Sequence, residues 1–242
     1  MTTRWSFRPP WWAIFGTVLG CALTVQLGLW QWHRGLAREA LDAQYLSAAT
    51  EVPEVLRVDS LVPDGAEAVR ATAAGEYDGS RQILLDNQVH DRTPGYQVLT
   101  PIRLESGGIA LINRGWVPQN PDRRVLPQLP VPAGPVMLSG LWRSLPQPAL
   151  RLKTDNCAAA DQPWPRIVEY PTSADLVCLY GADTATGMLL LAPDAPDGYL
   201  REWSQGDRRF PPQRHYGYAA QWFAFAATLL VIFLKLNLKR RP

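Results

Sequence analysis

The sequence lacks the short motifs that carry most enzyme chemistry. It has no glycine-rich phosphate loop, no G-x-S-x-G nucleophile turn and no H-E-x-x-H zinc motif. Only three cysteines occur in 242 residues, and no two of them have the C-x-x-C spacing of a dithiol or copper-thiolate site. Asp86 and His90 lie four residues apart, but a surface histidine near an acidic residue does not by itself specify a catalytic site. The sequence therefore predicts a protein that is not an enzyme.

Excess charge of one sign is also missing. The formal net charge is only +2, and no basic stripe lies outside the two ends of the chain. Proteins that bind nucleic acid carry a basic stripe or patch, because they must neutralise phosphates. The composition therefore excludes nucleic acid as the expected partner.

Two long segments contain no charged residue at all. They are Trp11–Trp30 and Tyr216–Leu234, and each is long enough as a helix to cross a hydrocarbon core about 30 Å thick. We expect two transmembrane helices in a lipid bilayer, flanking one domain over residues 31–210. Residues 1–10 then form a short N-terminus, and residues 235–242 form a basic tail.

The basic tail also indicates the orientation in the membrane. Long loops translocate largely regardless of their charge, whereas compact basic segments stay inside. We therefore expect both ends in the cytoplasm and the large domain outside it.

An alternative for the first span is cleavage before Cys21, since residues 18–21 resemble a lipoprotein processing site. The apolar run continues beyond Cys21 to Trp30, which favours a retained span.

Short β segments separated by turn residues fill most of the intervening domain. We expect a mostly antiparallel β (α+β) fold, a sandwich or barrel with one or two helices, one of them over 36–49. The proline-rich stretch 118–135 is expected to be a long surface loop. Val69–Val117 is expected to form a continuous meander with turns at Asp78-Gly79, Pro94-Gly95 and Gly107-Gly108. The strand candidates are Val69–Tyr77, Gln82–Gln88, Gly95–Leu104, Ile109–Val117, Val136–Trp142, Arg166–Glu169, Met188–Leu191 and Tyr199–Trp203.

Two cysteines share this domain. In an oxidising compartment Cys157 and Cys178 can form a disulfide, which typically stabilises a loop of this kind by about 3 kcal/mol. Sequence spacing does not show that their Cα atoms are close enough, so two buried thiols are the alternative.

Histidines mark the outer boundary of both spans. His33 follows the first span and His215 precedes the second, so an antiparallel hairpin would place both imidazoles at similar depth. Imidazole is a common axial ligand of haem iron, and the neighbouring aromatic residues suit a macrocycle. The alternative is an ordinary interfacial belt of aromatic residues and histidines.

Small residues recur along both spans at helical spacing. Gly16 and Gly20 lie on the first span, and Ala220, Ala224 and Thr228 lie on the second. Such strips allow close helix contact in lipid, so we expect the two spans to pack along them.

A series of short motifs resembles the Surf1/Shy1 family of cytochrome c oxidase assembly factors. They occur in family order from the first span to the second, while residues 120–205 carry no motif of this family. The motifs are Leu29-Trp30-Gln31 with Arg34, Gly75-x-Tyr77-Asp78, Leu85-Asp86-Asn87-Gln88, Gly95-Tyr96-x-Val98-Leu99-Thr100-Pro101, Ile112-Asn113-Arg114-Gly115-Trp116-Val117-Pro118 and His215-Tyr216-Gly217-Tyr218-Ala219-Ala220-Gln221-Trp222-Phe223-Ala224-Phe225-Ala226.

The resemblance implies a chaperone of oxidase biogenesis in the bacterial inner membrane. It implies binding of haem a, with His215 as the axial ligand, and insertion of haem a into cytochrome c oxidase subunit 1. It also implies contact with the machinery that makes haem a. The alternative is a haem-independent scaffold that stabilises an assembly intermediate. Arg114 is expected to pair with haem propionates or with Asp86. Possible contacts to haem or a partner are Trp30, Gln31, Arg34, Arg114, Trp116, Tyr218, Gln221 and Trp222.

Overall fold

The structure is a computed structural model that describes residues 4–147, 163–203 and 211–241. It divides into two compact units. The helical unit comprises residues 1–42 and 205–242, and the barrel unit comprises residues 43–204. Two long apolar helices thus flank a β-rich domain in the sequence, as expected.

Three helices lie in the described residues: α1 (Trp11–Thr50), α2 (Ser173–Tyr180) and α3 (Pro212–Asn237). The first apolar segment and the helix expected over 36–49 form one continuous element, α1, about 60 Å long. Good helix formers and the lack of proline or glycine between residues 36 and 50 explain why α1 continues beyond its apolar part.

Two of these helices, α1 and α3, are long and apolar enough to cross a membrane, by length and composition. Only 6% of the most apolar 18-residue stretch of each helix is buried, so neither helix resembles one in the core of a soluble protein. In the same unit a short strand β1 (Arg4–Phe7) pairs antiparallel with the last strand, β10 (Leu238–Arg241). This pairing fastens the two ends of the chain together.

Residues of α1 that pack against α3 recur at alternating intervals of four and three residues. This spacing is the 3.5-residue repeat of left-handed helix packing. A Cβ added at Gly28 would lie 2.5 Å from the ring of Phe223, and one at Gly35 would lie 2.5 Å from the ring of Tyr216. The less exposed α1 positions on this side include Thr17, Cys21, Thr24, Gly28, Gln31 and Gly35.

The expected packing of one small-residue strip on another is therefore wrong. Gly20 does contact α3, through Leu229, but nothing lies within 4 Å of a Cβ at Gly16. Ala220 and Ala224 are exposed. Glycines of α1 instead accept large side chains of α3, which buries more apolar surface per contact.

The eight strands of the barrel unit agree closely with the sequence pattern. They are β2 (Glu54–Val55), β3 (Val69–Tyr77), β4 (Ile83–His90), β5 (Thr93–Leu104), β6 (Ile109–Pro118), β7 (Pro135–Ser144), β8 (Arg166–Val168) and β9 (Thr184–Leu191). One strand candidate, Tyr199–Trp203, is wrong, because only Leu200 pairs, in an isolated bridge with Trp116.

Five of these strands close into a barrel in the order β3-β7-β9-β6-β5. The ring closes where the end of β3 pairs with the end of β5, at Gly75↔Leu104 and Tyr77↔Ile102. Among the described strands of this ring, β6 and β9 run parallel, and the other neighbours are antiparallel. The sheet is thus mixed but mostly antiparallel, in agreement with the expected class.

The expected meander over Val69–Val117 is only partly correct. Strands β4, β5 and β6 are consecutive antiparallel neighbours, but β3 pairs with β7 and β5 rather than with β4. The reason lies at Asp78, which is buried and does not form a hairpin turn. Its carboxylate accepts hydrogen bonds from Ser80 and Arg81 and pairs with Arg103 of β5, which turns the chain away from β3.

The other two expected turns have different outcomes. Gly107 and Gly108 form the β5–β6 turn with φ of 92° and 80°, values that favour glycine. The expected turn at Pro94-Gly95 is wrong, because both residues lie inside β5. The β4–β5 hairpin turns three residues earlier, at Asp91 and Arg92. Both residues have positive φ values, which match a two-residue hairpin turn.

Three apolar clusters hold the barrel unit together. Alternate residues of the ring strands fill the barrel, as the two-residue period of a strand requires. The barrel cluster includes Ala73, Ile102, Ile112, Leu138, Trp142 and Leu189. A second cluster on the outer face joins the sheet to α2 and to Tyr45 of α1, and a third lies under the loop between β6 and β7.

That loop and α2 complete the domain. Residues 119–134 contain no helix or strand, as the prolines predict, and Leu126 and Leu129 pack on the third cluster. Helix α2 begins with a reciprocal capping box between Thr172 and Asp175. It carries Cys178, but Cys157 lies outside the described residues, so their pairing stays a prediction.

Asp78 gives the barrel unit a testable pH dependence. Burial acts to raise the pKa of Asp78, but hydrogen bonds from Ser80 and Arg81 outweigh it and hold the pKa below its ordinary value. The carboxylate therefore contributes stability above about pH 4, which is lost as the pH falls through the lowered pKa. We expect Asp78→Asn to make the urea midpoint less dependent on pH between about pH 5 and 2. A variant with the same acid slope as the parent protein would contradict this assignment.

Candidate functional site

The structure pairs His215 with Gln31 inside the helical unit. The imidazole Nδ1 lies 2.9 Å from Gln31 Oε1. An amide oxygen only accepts, so Nδ1 is the nitrogen that donates in this contact. Such a hydrogen bond fixes both the tautomer and the orientation of the imidazole, as an outer partner does for a metal-ligating histidine.

Aromatic rings lie next to this pair. The rings of Trp32 and Tyr216 lie 5.0 Å apart at an interplanar angle of 53°. Gly35 allows this arrangement, because its Cα faces the Tyr216 ring without a side chain between them. The two helices thus carry an oriented imidazole and, at the next residue of each helix, one ring of a tilted aromatic pair, which offers apolar aromatic surface to a planar ligand.

The other predicted residues of the helical unit are distributed around the helices. Trp30 is 53% exposed and contacts the guanidinium of Arg34, whose Cζ lies 5.9 Å from the ring centroid. Tyr218 and Gln221 are exposed on α3. Trp222 is half-buried and packs edge-on against Phe225.

The contact with Gln31 places His215 at a depth similar to that of His33, as expected, but His33 is not the residue that His215 contacts. His33 is exposed, as are Gln26 and Trp30 on the same stripe of α1. The position that meets His215 is Gln31, which lies on the packed side of the helix. The stripe expected on α3, from His215 through Ala219 to Trp222, does lie on its less exposed side.

Arg114 and Trp116 belong to the barrel unit, and each contacts neighbouring parts of that unit. Arg114 follows Ile112 on the inner face of β6 and is 2% exposed. Its Nε and Nη2 donate to the carbonyl of Asp197 at 3.0 and 2.5 Å. The expected pairing with Asp86 is wrong, because Asp86 binds Arg123 of the β6–β7 loop at 2.6 Å.

Trp116 links β6 to its neighbours. Its indole N–H donates to the carbonyl of Gln88 at 3.2 Å, and its ring lies 5.3 Å from the ring of His90. Its backbone N–H donates to Leu200. These contacts give Trp116 a role in joining two strands to the segment after β9.

A mostly apolar cavity of about 340 Å³ also lies in the barrel unit. It is lined by Tyr45 and Leu46 from the end of α1, by residues of β7, and by Trp203. None of the predicted site residues lines this cavity.

Comparison with known proteins identifies the family. The SURF1 family model matches residues 18–227, which is most of the chain and includes every motif noted above. The protein belongs to the SURF1 family. Membership of this family implies a role in cytochrome c oxidase assembly.

Relatives within the SURF1 family agree over the same region. SURF1-like proteins of Mycobacterium bovis and Mycobacterium tuberculosis are each 24% identical over 229 residues, which cover 90% of this chain and 80% of the relative. A SURF1-like protein of Caenorhabditis elegans is 30% identical over 161 residues, covering 53% of this chain and 47% of that protein. The similarity to the mycobacterial proteins therefore spans both long helices and the barrel unit.

The sequence did not indicate two partly buried polar residues of this SURF1 protein, Tyr199 and Arg201. Tyr199 and Arg201 lie in a stretch without family motifs, yet both pack around Arg114 or Gly115. A signal was present in Gly75-x-Tyr77-Asp78, because Tyr77 also contacts Arg114. Only the barrel topology brings these distant segments together.

Proposed function

We propose that this protein binds haem a through His215 and helps its insertion into cytochrome c oxidase subunit 1. The observation that carries the proposal is the hydrogen bond between His215 Nδ1 and Gln31 Oε1. It orients the one imidazole found in the family motif at the second span. Haem would supply the iron, and this chain supplies the axial donor and the surroundings.

The residues present fit such a group. With Nδ1 donating to Gln31, Nε2 is the ring nitrogen that would bind iron. Loss of an outer hydrogen-bond partner of a ligating histidine typically weakens metal binding by about 10- to 100-fold. Gln31 therefore acts as a positioning residue, while Trp32 and Tyr216 provide aromatic surface.

The same proposal places the protein in a bacterial cytoplasmic membrane. Two helices of spanning length, mostly exposed apolar windows, and basic residues at both chain ends support this placement. The barrel unit then lies outside the cytoplasm, with the lipid bilayer, subunit 1 and the haem a synthesis machinery as partners. Its role is that of a chaperone rather than an enzyme.

His215→Ala tests the proposal directly. We expect the variant to insert in the membrane, because the apolar length of α3 is unchanged, but to lose most of its bound haem. Oxidase activity is expected to fall in the same cells. Haem is measured per mole of detergent-purified protein, together with its absorption spectrum, from cells that make haem a.

Matched variants separate ligation from general disturbance of the helices. His33→Ala removes an exposed imidazole only two residues from Gln31 and should retain haem. Gln31→Leu should weaken haem binding while leaving His215 in place. Unchanged haem content and spectrum in His215→Ala would instead favour a haem-independent scaffold that stabilises an assembly intermediate.

A further inference from the structure

A cluster of two arginines and two tyrosines lies at one end of the barrel. The Arg114 guanidinium lies between two rings, with its Cζ 5.4 Å from the centroid of Tyr77 and 5.0 Å from that of Tyr199. Arg201 lies beside them and donates through Nη2 to the carbonyl of Ala195 at 2.7 Å. Both arginines thus use part of their donor capacity on backbone carbonyls.

Other polar atoms of this cluster have no hydrogen-bond partner among the described residues. The shielded polar atoms without a hydrogen-bond partner are Arg114 Nη1, Arg201 Nε, Arg201 Nη1, Tyr77 Oη and Tyr199 Oη. Among the ion pairs of the described residues, none includes Arg114 or Arg201. The nearby carboxylate, that of Asp197, is exposed and forms no ion pair with Arg114 or Arg201 among the described residues. A buried positive charge is costly unless a negative charge neutralises it, so this end of the barrel favours a further negatively charged partner.

The backbone around the cluster makes room for Arg201. Gly115 has φ of 115°, and a Cβ there would lie 2.9 Å from Arg201 Cγ. A Cβ at Gly198 would lie 2.3 Å from Arg201 Cζ. Gly198 therefore leaves room for the Arg201 guanidinium and Gly115 leaves room for its aliphatic stem, and a larger residue at either position would displace the side chain.

The donors have the chemistry that recognises a carboxylate. A guanidinium is planar and presents paired N–H groups that match the two oxygens of a carboxylate. Burial, the largest influence, raises the pKa of Tyr77 to about 12, so its hydroxyl stays protonated and can donate.

We propose that Arg114, Arg201, Tyr77 and Tyr199 form a binding site for a small free carboxylate at the end of the barrel. Arg114 is fully covered, whereas Arg201 is partly exposed, so the Arg201 side chain is the part that moves to admit the anion. The shielding of all five donor atoms excludes a bulky ligand. The bound carboxylate would neutralise the cluster and stabilise the closed barrel.

Formate is the probe that tests this site, because it is the smallest carboxylate. The full-length protein in detergent is unfolded thermally at constant ionic strength while chloride is replaced by formate. We expect a saturable rise of the unfolding midpoint by roughly 5–10 °C when formate exceeds its dissociation constant a hundredfold.

Three variants locate the effect. In Tyr199→Phe, which keeps the ring on Arg114, and in Arg201→Gln, the half-saturating formate concentration should rise at least about tenfold. Arg124→Gln removes a 91% exposed arginine that pairs only locally with Asp122, and should leave the formate response unchanged. No rise in the parent protein, or an unchanged response in Tyr199→Phe, would overturn the proposal, whether or not Arg201→Gln folds.

Discussion

Replacing Gly75 with alanine is expected to lower the free energy of unfolding of the barrel unit by about 3 kcal/mol or more. Gly75 lies where β3 pairs with β5 and closes the ring. A Cβ there would lie 2.0 Å from the carbonyl oxygen of Arg103 and 3.1 Å from the Cα of Leu104. Both are backbone atoms, so no side-chain rotation relieves the clash and the two strands must separate.

Urea unfolding of the detergent-solubilised protein, followed by circular dichroism, measures this loss. Glu76→Ala is the matched control, because Glu76 is the next residue on β3 and its side chain is exposed. We expect the control to stay within about 0.5 kcal/mol of the parent protein. A Gly75→Ala midpoint equal to that of the control would mean that the β3–β5 contact does not close the barrel.

Trp142→Ala is expected to destabilise the same unit by about 3–5 kcal/mol through the cavity it leaves. Trp142 lies on β7, is 1% exposed and belongs to the cluster that fills the barrel. Its indole N–H donates to the carbonyl of Ser60 at 3.2 Å, so the substitution also leaves that carbonyl without its donor. The Trp142 ring lies against Gly187 on β9, so position 187 offers no side chain to fill the space.

The control for Trp142 lies on the same strand. Met137→Ala removes a large apolar side chain that is 83% exposed, so little burial is lost. Equal urea midpoints for the two variants would show that Trp142 is not part of the core. A loss confined to Trp142→Ala would confirm that the inner face of β7 carries the stability of this strand.

The elements of this fold could be predicted from sequence, but their partners could not. Alternating apolar residues and turn residues gave β3 the observed bounds and placed β5, β6 and β9 within a few residues. No local signal shows that Asp78 redirects β3, because the side chains that bind its carboxylate include Arg103 on a distant strand. Strand order depends on such non-local contacts, so the meander was only partly right.

The residues of the candidate site could likewise be predicted from sequence, whereas their contacts could not. His215 and Gln31 both lie in family motifs, yet their contact depends on the register of two helices far apart in sequence. The register follows from Gly28 and Gly35, which admit aromatic rings of α3, and a search for paired small residues does not find such contacts. Tyr199 and Arg201 lacked a motif altogether, and only the fold brings them to Arg114.

The strand order also determines how the barrel must fold. The parallel neighbour of β6 is β9, and the main neighbour of β3 is β7. Much of the ring therefore depends on pairings between strands that are distant in sequence. Domains dominated by such pairings fold slowly, because the chain loses loop entropy before the contacts form. Until β9 has been synthesised, β6 and β7 expose unpaired edges that invite aggregation. Slow closure of the ring is therefore a step at which newly made chains are exposed to proteolysis.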